Sequence, residues 1–306
     1  MMKRFLSALL LMTSLPLFAE TTSYNLKPVK IGNNTYVLFG ENEEINNRNG
    51  GHIANTSFIT TKECTLVFDS GSSVKFAREV IYHIRSISEK PICKVINSHF
   101  HPDHFLGNAA FTGAKIISLK QTSEQIKKYA EHYRDNFYKI LGDWMHETQI
   151  TVPTPLTETE FSLGEHNFRL IKFEGHSGAD LVLHDLTTNT LFAGDLLFHQ
   201  RAASTAHSKD IKTWLKDLDA LAEIGATTIV PGHGPLSDGS AAIKDTKNYL
   251  TWLHQLLTDA ASSGADITEV INAQIPESIN NRALVSYELS RSATHLFHHY
   301  EEQYFD

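Results

Sequence analysis

Apolar positions along this chain follow two rhythms, short strand-like runs and longer stretches at helical spacing. Runs at 36–39, 53–60 and 66–68 are separated by Gly, Asn and Ser, which predicts strands joined by hairpins and turns. Val74, Ala77, Val80, Ile81, Ile84 and Ile87 then recur with the period of one helix face, predicting an amphipathic helix over 74–88. Strands are expected at 92–96, introduced by Pro91, and at 115–119, with a long helix over 122–141 behind a Thr cap. Residues 142–158, with Pro153 and Pro155, read as an irregular connector. The strand rhythm resumes at 168–173, 181–183 and 191–193. A helix over 208–224 and a strand over 227–230 follow, and from about 241 the pattern is mainly helical. Strands and helices thus run in two similar halves, the pattern of an α/β fold with its chemistry along one edge of its sheets. No internal repeat, low-complexity tract or long linker calls for a second domain, so residues 20–306 are expected to form one, with a helical C-terminal extension.

Residues 1–19 have a different layout. Lys3 and Arg4 precede an apolar stretch over 5–18, broken by Ser7, Thr13, Ser14 and Pro16, and Ala19 supplies a small residue for cleavage. The stretch is too short for a bilayer span and has the form of a secretory signal peptide. The mature chain is therefore expected to be periplasmic or secreted, with no stable membrane insertion. Cleavage removes two of 27 basic residues and none of 35 acidic ones, leaving a net charge of −10 with His neutral. No Lys/Arg cluster stands out against this acidic balance, which argues against a nucleic-acid partner. Two cysteines, Cys64 and Cys93, precede strand-like runs. They either pair, if the strands are parallel neighbours, or remain buried free thiols; an oxidising compartment would permit the bond.

The densest chemistry lies in His99-Phe100-His101-Pro102-Asp103-His104, three imidazoles and a carboxylate directly after an apolar run. Imidazole nitrogen and carboxylate oxygen are the ligand types of zinc sites. In extended chain His99 and His101 share a face and can address one metal. Pro102 suits the first position of a helical turn, which lets Asp103 and His104 swing toward a second. His176, in Glu174-Gly175-His176-Ser177-Gly178, Asp195, in Ala193-Gly194-Asp195, and His233, in Pro231-Gly232-His233-Gly234, each follow an apolar run. Singly each is weak; together they place five histidines and two aspartates at strand ends.

These motifs resemble those of the metallo-β-lactamase superfamily over residues 53–235. The resemblance implies a four-layer αβ/βα sandwich. It also implies two Zn²⁺ per chain, the first held by His99, His101 and His176, the second by Asp103, His104 and His233, with Asp195 bridging. Asp69, closing the 66–68 run, matches a strand-end Asp that fixes a ligand imidazole; read alone, it is equally a turn cap. An Asp at 195 departs from zinc β-lactamases with a Cys ligand and matches the glyoxalase II, lactonase and general hydrolase branches. In overall look, the runs at 97–108, 191–198 and 230–235 are most similar to exported quinoprotein relay system zinc metallohydrolases.

The implied activity is hydrolysis of a small ester, thioester, lactone or amide by a metal-bridging hydroxide, with Asp103 both binding metal and orienting that hydroxide. No Gly-x-Ser-x-Gly elbow is present, against a serine hydrolase. Two alternatives stand beside it. One is a mononuclear iron sulfur-oxygenase of the same superfamily, since sequence does not assign the metal. The other is a non-catalytic metal-binding accessory factor for quinoprotein maturation. His199, Arg201 and His207 follow Asp195 where a substrate-facing loop is expected; Arg201 either clamps a substrate carboxylate or is a solvated loop residue. Tyr133, Phe137, Tyr138, Trp144 and Met145 either wall a pocket or, as aromatic stripes more often do, join the core. His295, His298 and His299 read as a polar helix face.

Overall fold

The computed structural model describes residues 23–305; the signal-peptide reading of 1–19 lies outside them. Seven strands form the first sheet, in sequence order: β1 (Val29–Gly32), β2 (Thr35–Leu38), β3 (Thr56–Thr60), β4 (Thr65–Phe68), β5 (Ile92–Ile96), β6 (Lys115–Ser118) and β7 (Thr154–Pro155). The second sheet contains β8 (Glu160–Leu163), β9 (His166–Phe173), β10 (Asp180–Asp185), β11 (Thr190–Phe192), β12 (Thr228–Val230) and β13 (Ser237–Asp238), in reversed spatial order. The helices are α1 (Val74–Ile87), α2 (Pro102–Phe105), α3 (Lys120–Leu141), α4 (Ile211–Ala222), α5 (Ala241–Ser263), α6 (Ile267–Ile271), α7 (Glu277–Asn280) and α8 (Val285–Phe305).

Alternation along the strands builds the four layers. In β4, Leu66 and Phe68 face the second sheet, while Val67 faces α1, where it meets Val80 and Ile84. In β10, Leu181 and Leu183 face the first sheet, while Val182 meets the cluster of Trp214, Leu218 and Leu250 from α4 and α5. Successive side chains point to opposite faces, so each strand serves two cores and the order is helix, sheet, sheet, helices. This is the sandwich expected from the motifs.

Parallel pairing of β4 with β5 and of β11 with β12 sends the carboxyl ends of these strands to one edge. Asp69 follows the end of β4 directly, and His99, Asp195 and His233 lie three residues beyond the ends of β5, β11 and β12. Parallel β4 and β5 also bring Cys64 beside Cys93, and the two are joined in a disulfide with Cα atoms 5.8 Å apart. The alternative of free thiols is thereby removed.

Element ends differ from the sequence expectations where local hydrogen bonds intervene. The strand expected from 53 starts only at Thr56, because Asn55 Nδ2 donates to the carbonyls of Pro231 and Gly234, pulling that stretch out of the ladder. The helix expected from 208 starts at Ile211, since the Asp210 carboxylate accepts the Thr213 N–H and caps it. The connector at 142–158 holds a 3₁₀ turn, Gly142–Met145, and β7. Strands β1 and β8 are not anticipated by the sequence pattern, since each offers only four residues of alternation.

Candidate metal centre

The six-residue His/Asp motif leaves β5 in extended chain and turns into α2 with Pro102 at its first position. His101 caps that turn without a side-chain hydrogen bond, so its ring is free to point inward. The turn carries Asp103 and His104 back toward the strand ends. Gly232 and Gly234 bracket His233. A Cβ at Gly232 would lie 2.0 Å from Asp195 Oδ1, and Gly234 has a φ of +93°, so both positions require glycine.

Seven side chains converge in two groups. His99, His101, His176 and Asp195 form one, and Asp103, His104 and His233 the other, the donor atoms within each lying within 4.8 Å of one another. Asp195 stands between the groups. Its Oδ2 is 3.4 Å from His176 Nε2, 3.7 Å from His99 Nε2 and 3.3 Å from His233 Nε2, and its Oδ1 is 3.1 Å from His104 Nε2. Asp103 Oδ2 lies 3.4 Å from His233 Nε2 and 3.7 Å from His104 Nε2. All but half-buried His101 are buried.

The nitrogens turned away from the centre are held by the protein. Asp69 Oδ2 faces His104 Nδ1 at 2.8 Å and accepts the Ser98 hydroxyl, while Asp69 Oδ1 accepts the Ser98 N–H. Because that hydroxyl hydrogen is committed to Asp69, Ser98 Oγ accepts from His99 Nδ1 at 2.9 Å. His233 Nδ1 lies 2.6 Å from the Ile53 carbonyl, which can only accept. All three rings therefore turn Nε2 inward, the orientation a metal needs. His101 presents Nδ1 to His176 Nε2 at 2.9 Å, and its Nε2 meets His207 Nδ1 at 2.7 Å.

Charge states agree with that geometry. Burial, aided by the neighbouring cluster, holds His99 and His101 well below the ordinary imidazole value, and burial lowers His176 to about 4. Burial opposes the charge on Asp195 too, but His233, His104 and His99 outweigh it and keep the carboxyl far below its usual range. At His104 burial is overcome by Asp195, Asp69 and Asp103, which raise its pKa well above normal. Neutral His99, His101 and His176 beside an ionised Asp195 are the protonation states that metal binding requires, whereas the carboxylates around His104 hold a proton there that a metal would displace. The buried His99 Nε2, His104 Nε2 and Asp195 Oδ1 have no hydrogen-bond partner although each points into the cluster. Polar atoms left so are costly unless a cation satisfies them, so the donor set fits metal.

Residues 49–233 match the sequence profile of the metallo-beta-lactamase superfamily. The chain belongs to this superfamily. A linear primary-alkylsulfatase from Pseudomonas sp. (strain ATCC 19151) is 36% identical over 258 residues, covering 70% of this chain and 48% of that protein. A beta-lactamase-like protein 2 homolog from Drosophila melanogaster is 23% identical over 183 residues, covering 59% of this chain and 58% of its own length. This chain thus spans about half the length of the curated relatives it matches. A metallo-beta-lactamase from Pontibacter korlensis superposes with a TM-score of 0.60 at 20% identity, over 74% of this chain and 99% of that one. The DIM-1 metallo-beta-lactamase does so with 0.55 at 17%, over 74% and 97%. At such identities these two show the fold.

As in other members of the superfamily, then, the chain has a hydrolase-type fold with His/Asp clusters able to bind metal. The remaining sequence candidates divide. His207 and Arg201 line the cavity above the clusters, and Arg201 is buried, not solvated. His199 turns aside to Asp245, 3.1 Å away. Tyr133 and Phe137 line the cavity, Trp144 and Met145 are core, and Tyr138 is 57% exposed. His295, His298 and His299 are exposed on α8. Sequence reasoning missed Ser98, Ile45, Glu288 and Arg291. For Glu288 a signal existed, a carboxylate on the apolar stripe of Val285, Leu289 and Ala293.

Proposed function

We propose that the protein is an exported hydrolase that holds two zinc ions and cleaves a small ester, thioester, lactone or amide. The carrying observation is the two facing donor groups with Asp195 between them. His99, His101 and His176 would hold one ion, Asp103, His104 and His233 the other, and Asp195 would serve both. When bound, such a pair supplies a water ionised near neutral pH and a Lewis acid for the substrate oxygen. Asp103 lines the cavity and is assigned to orient the attacking water. Asp69 and Ser98 hold His104 and His99 in the required tautomers. Tyr133 and Phe137 give the cavity an apolar side next to the site.

Export is supported by the Cys64–Cys93 bond, which an oxidising compartment sustains, and by the layout of residues 1–19. The likeness to an alkylsulfatase places a sulfate ester beside the acyl compounds in any substrate panel. The test is that panel, run on wild type and on Asp103→Asn. Hydrolysis that disappears in a variant still holding metal supports the reading; metal binding without turnover by wild type favours an accessory factor.

A further inference from the structure

The donor groups form the floor of an open cavity of about 240 Å³ with unequal walls. On one side α3 presents Tyr133, Phe137 and Ile140 along a single helix face. The same cavity is lined by Arg201, Glu288 and Arg291. Arg201 is 5% exposed and short of acceptors. Its Nε has no hydrogen-bond partner, its Nη2 is 4.0 Å from Glu288 Oε1, and its Nη1 packs against His233 Nδ1, the nitrogen that donates to Ile53. Glu288 directs both carboxylate oxygens at Arg291 Nη1, each at 3.2 Å. Arg291 also reaches Ser204 Oγ at 3.4 Å, and its side chain is 39% exposed, open to the cavity.

Two guanidinium groups here face one carboxylate, Glu288; the other carboxylates lining the cavity, Asp103 and Asp195, are those assigned to metal, so with metal bound this wall is net positive. A buried cation lacking acceptors is costly, and an anion entering the cavity would relieve that cost. Both arginines have the planar fork that matches a carboxylate or sulfonate. Glu288 and Arg291 come from α8, beyond the residues 49–233 that carry the family match. Glu288 and Arg291 thus join the cavity from outside the matched segment, whereas Arg201 and the α3 residues lie inside it.

We infer that this cavity selects substrates bearing a negatively charged group beside the bond to be cleaved and an apolar arm. The anion sits between Arg201 and Arg291, and the arm lies along Tyr133, Phe137 and Ile140. This rests on the hydrolase reading and names the substrate class for the same site. Glu288 acts as a positioning residue, holding Arg291 at the cavity rim.

Calorimetric titration of metal-loaded protein with octanesulfonate, octanoate and octyltrimethylammonium tests it, with metal content and cleavage of an uncharged ester measured on every sample. Both anions bind wild type and the cation does not. Arg291→Gln weakens both anions about tenfold or more at unchanged metal content, and Arg291→Lys restores part of the loss. Phe137→Ser weakens octanesulfonate more than butanesulfonate. Equal binding of the cation, or unchanged anion affinity in Arg291→Gln, overturns the inference. Metal and ester cleavage without anion preference would remove this inference alone; anion binding by a protein that holds no metal would remove the hydrolase reading instead.

Discussion

Asp69 Oδ2 lies 2.8 Å from His104 Nδ1, and the same oxygen accepts the Ser98 hydroxyl at 2.8 Å. One carboxylate therefore sets the tautomer of His104 directly and that of His99 through Ser98. Its backbone φ is +61°, a left-handed conformation that Asp and Asn tolerate better than other residues with side chains.

Asp69→Asn keeps that backbone tolerance and removes the charge, leaving an amide that can donate where a carboxylate only accepts. Metal affinity should fall about 10–100-fold while the fold is retained. Competition with a chromophoric chelator, beside far-UV circular dichroism, checks both halves of the expectation.

Gly232→Ala should damage the same centre from the opposite side. The added Cβ would sit 2.0 Å from Asp195 Oδ1, so Asp195 or the 231–234 turn must move. Metal content should drop sharply, whereas Gly32→Ala, where a Cβ makes only an ordinary 3.8 Å contact with Thr35, should leave it unchanged. Elemental analysis of the two purified variants makes the comparison.

The Cys64–Cys93 bond joins the starts of β4 and β5, far along both strands from the candidate metal-binding residues at their other ends. Replacing both cysteines by Ala should cost about 2–4 kcal/mol of stability. Urea unfolding with and without reductant measures it. Wild type should lose a similar amount on reduction, and the double variant should show no response.

His166 and Asp185 form a buried pair on the second sheet, Nδ1 to Oδ2 2.7 Å. The hydrogen bond to Asp185 raises His166 above its ordinary 6.5, so its contribution is full below pH 6.5 and is lost as pH rises through the folded value. Burial would raise Asp185, but His166 and Thr188 outweigh it and hold it below its ordinary 3.8. Its contribution is present above pH 3.8 and lost as pH falls through the folded value. The pair therefore stabilises most between those two limits. His166→Gln should cost about 2 kcal/mol at pH 5.5 and clearly less at pH 9, read from urea midpoints.

Much of the candidate site was legible in the sequence because its His and Asp residues cluster where apolar runs end. His99, His101, Asp103 and His104 share six residues, and His176, Asp195 and His233 each follow a strand, so short-range pattern and fold class pointed to the same edge. The two sheets were legible for the same reason, through alternation in strands such as β4 and β10. What escaped was long-range. Glu288 and Arg291 reach the cavity only because α8 packs back on α5, a contact with no local signature. Ser98 is an ordinary strand-end serine until Asp69, from the neighbouring strand, takes its hydroxyl hydrogen. The late start of β3 follows from Asn55 bonding to the distant 231–234 turn. Arg201 reads as a loop residue by sequence, and its burial depends on where that loop lies against His233 and α8.

The most direct test of the account is metal identity and stoichiometry on the protein expressed from residue 20 onward, purified without added metal. Two zinc ions per chain, both lost on acidification as protons compete at His104 and the carboxylates, is the predicted result. One iron per chain, or no retained metal, would contradict it.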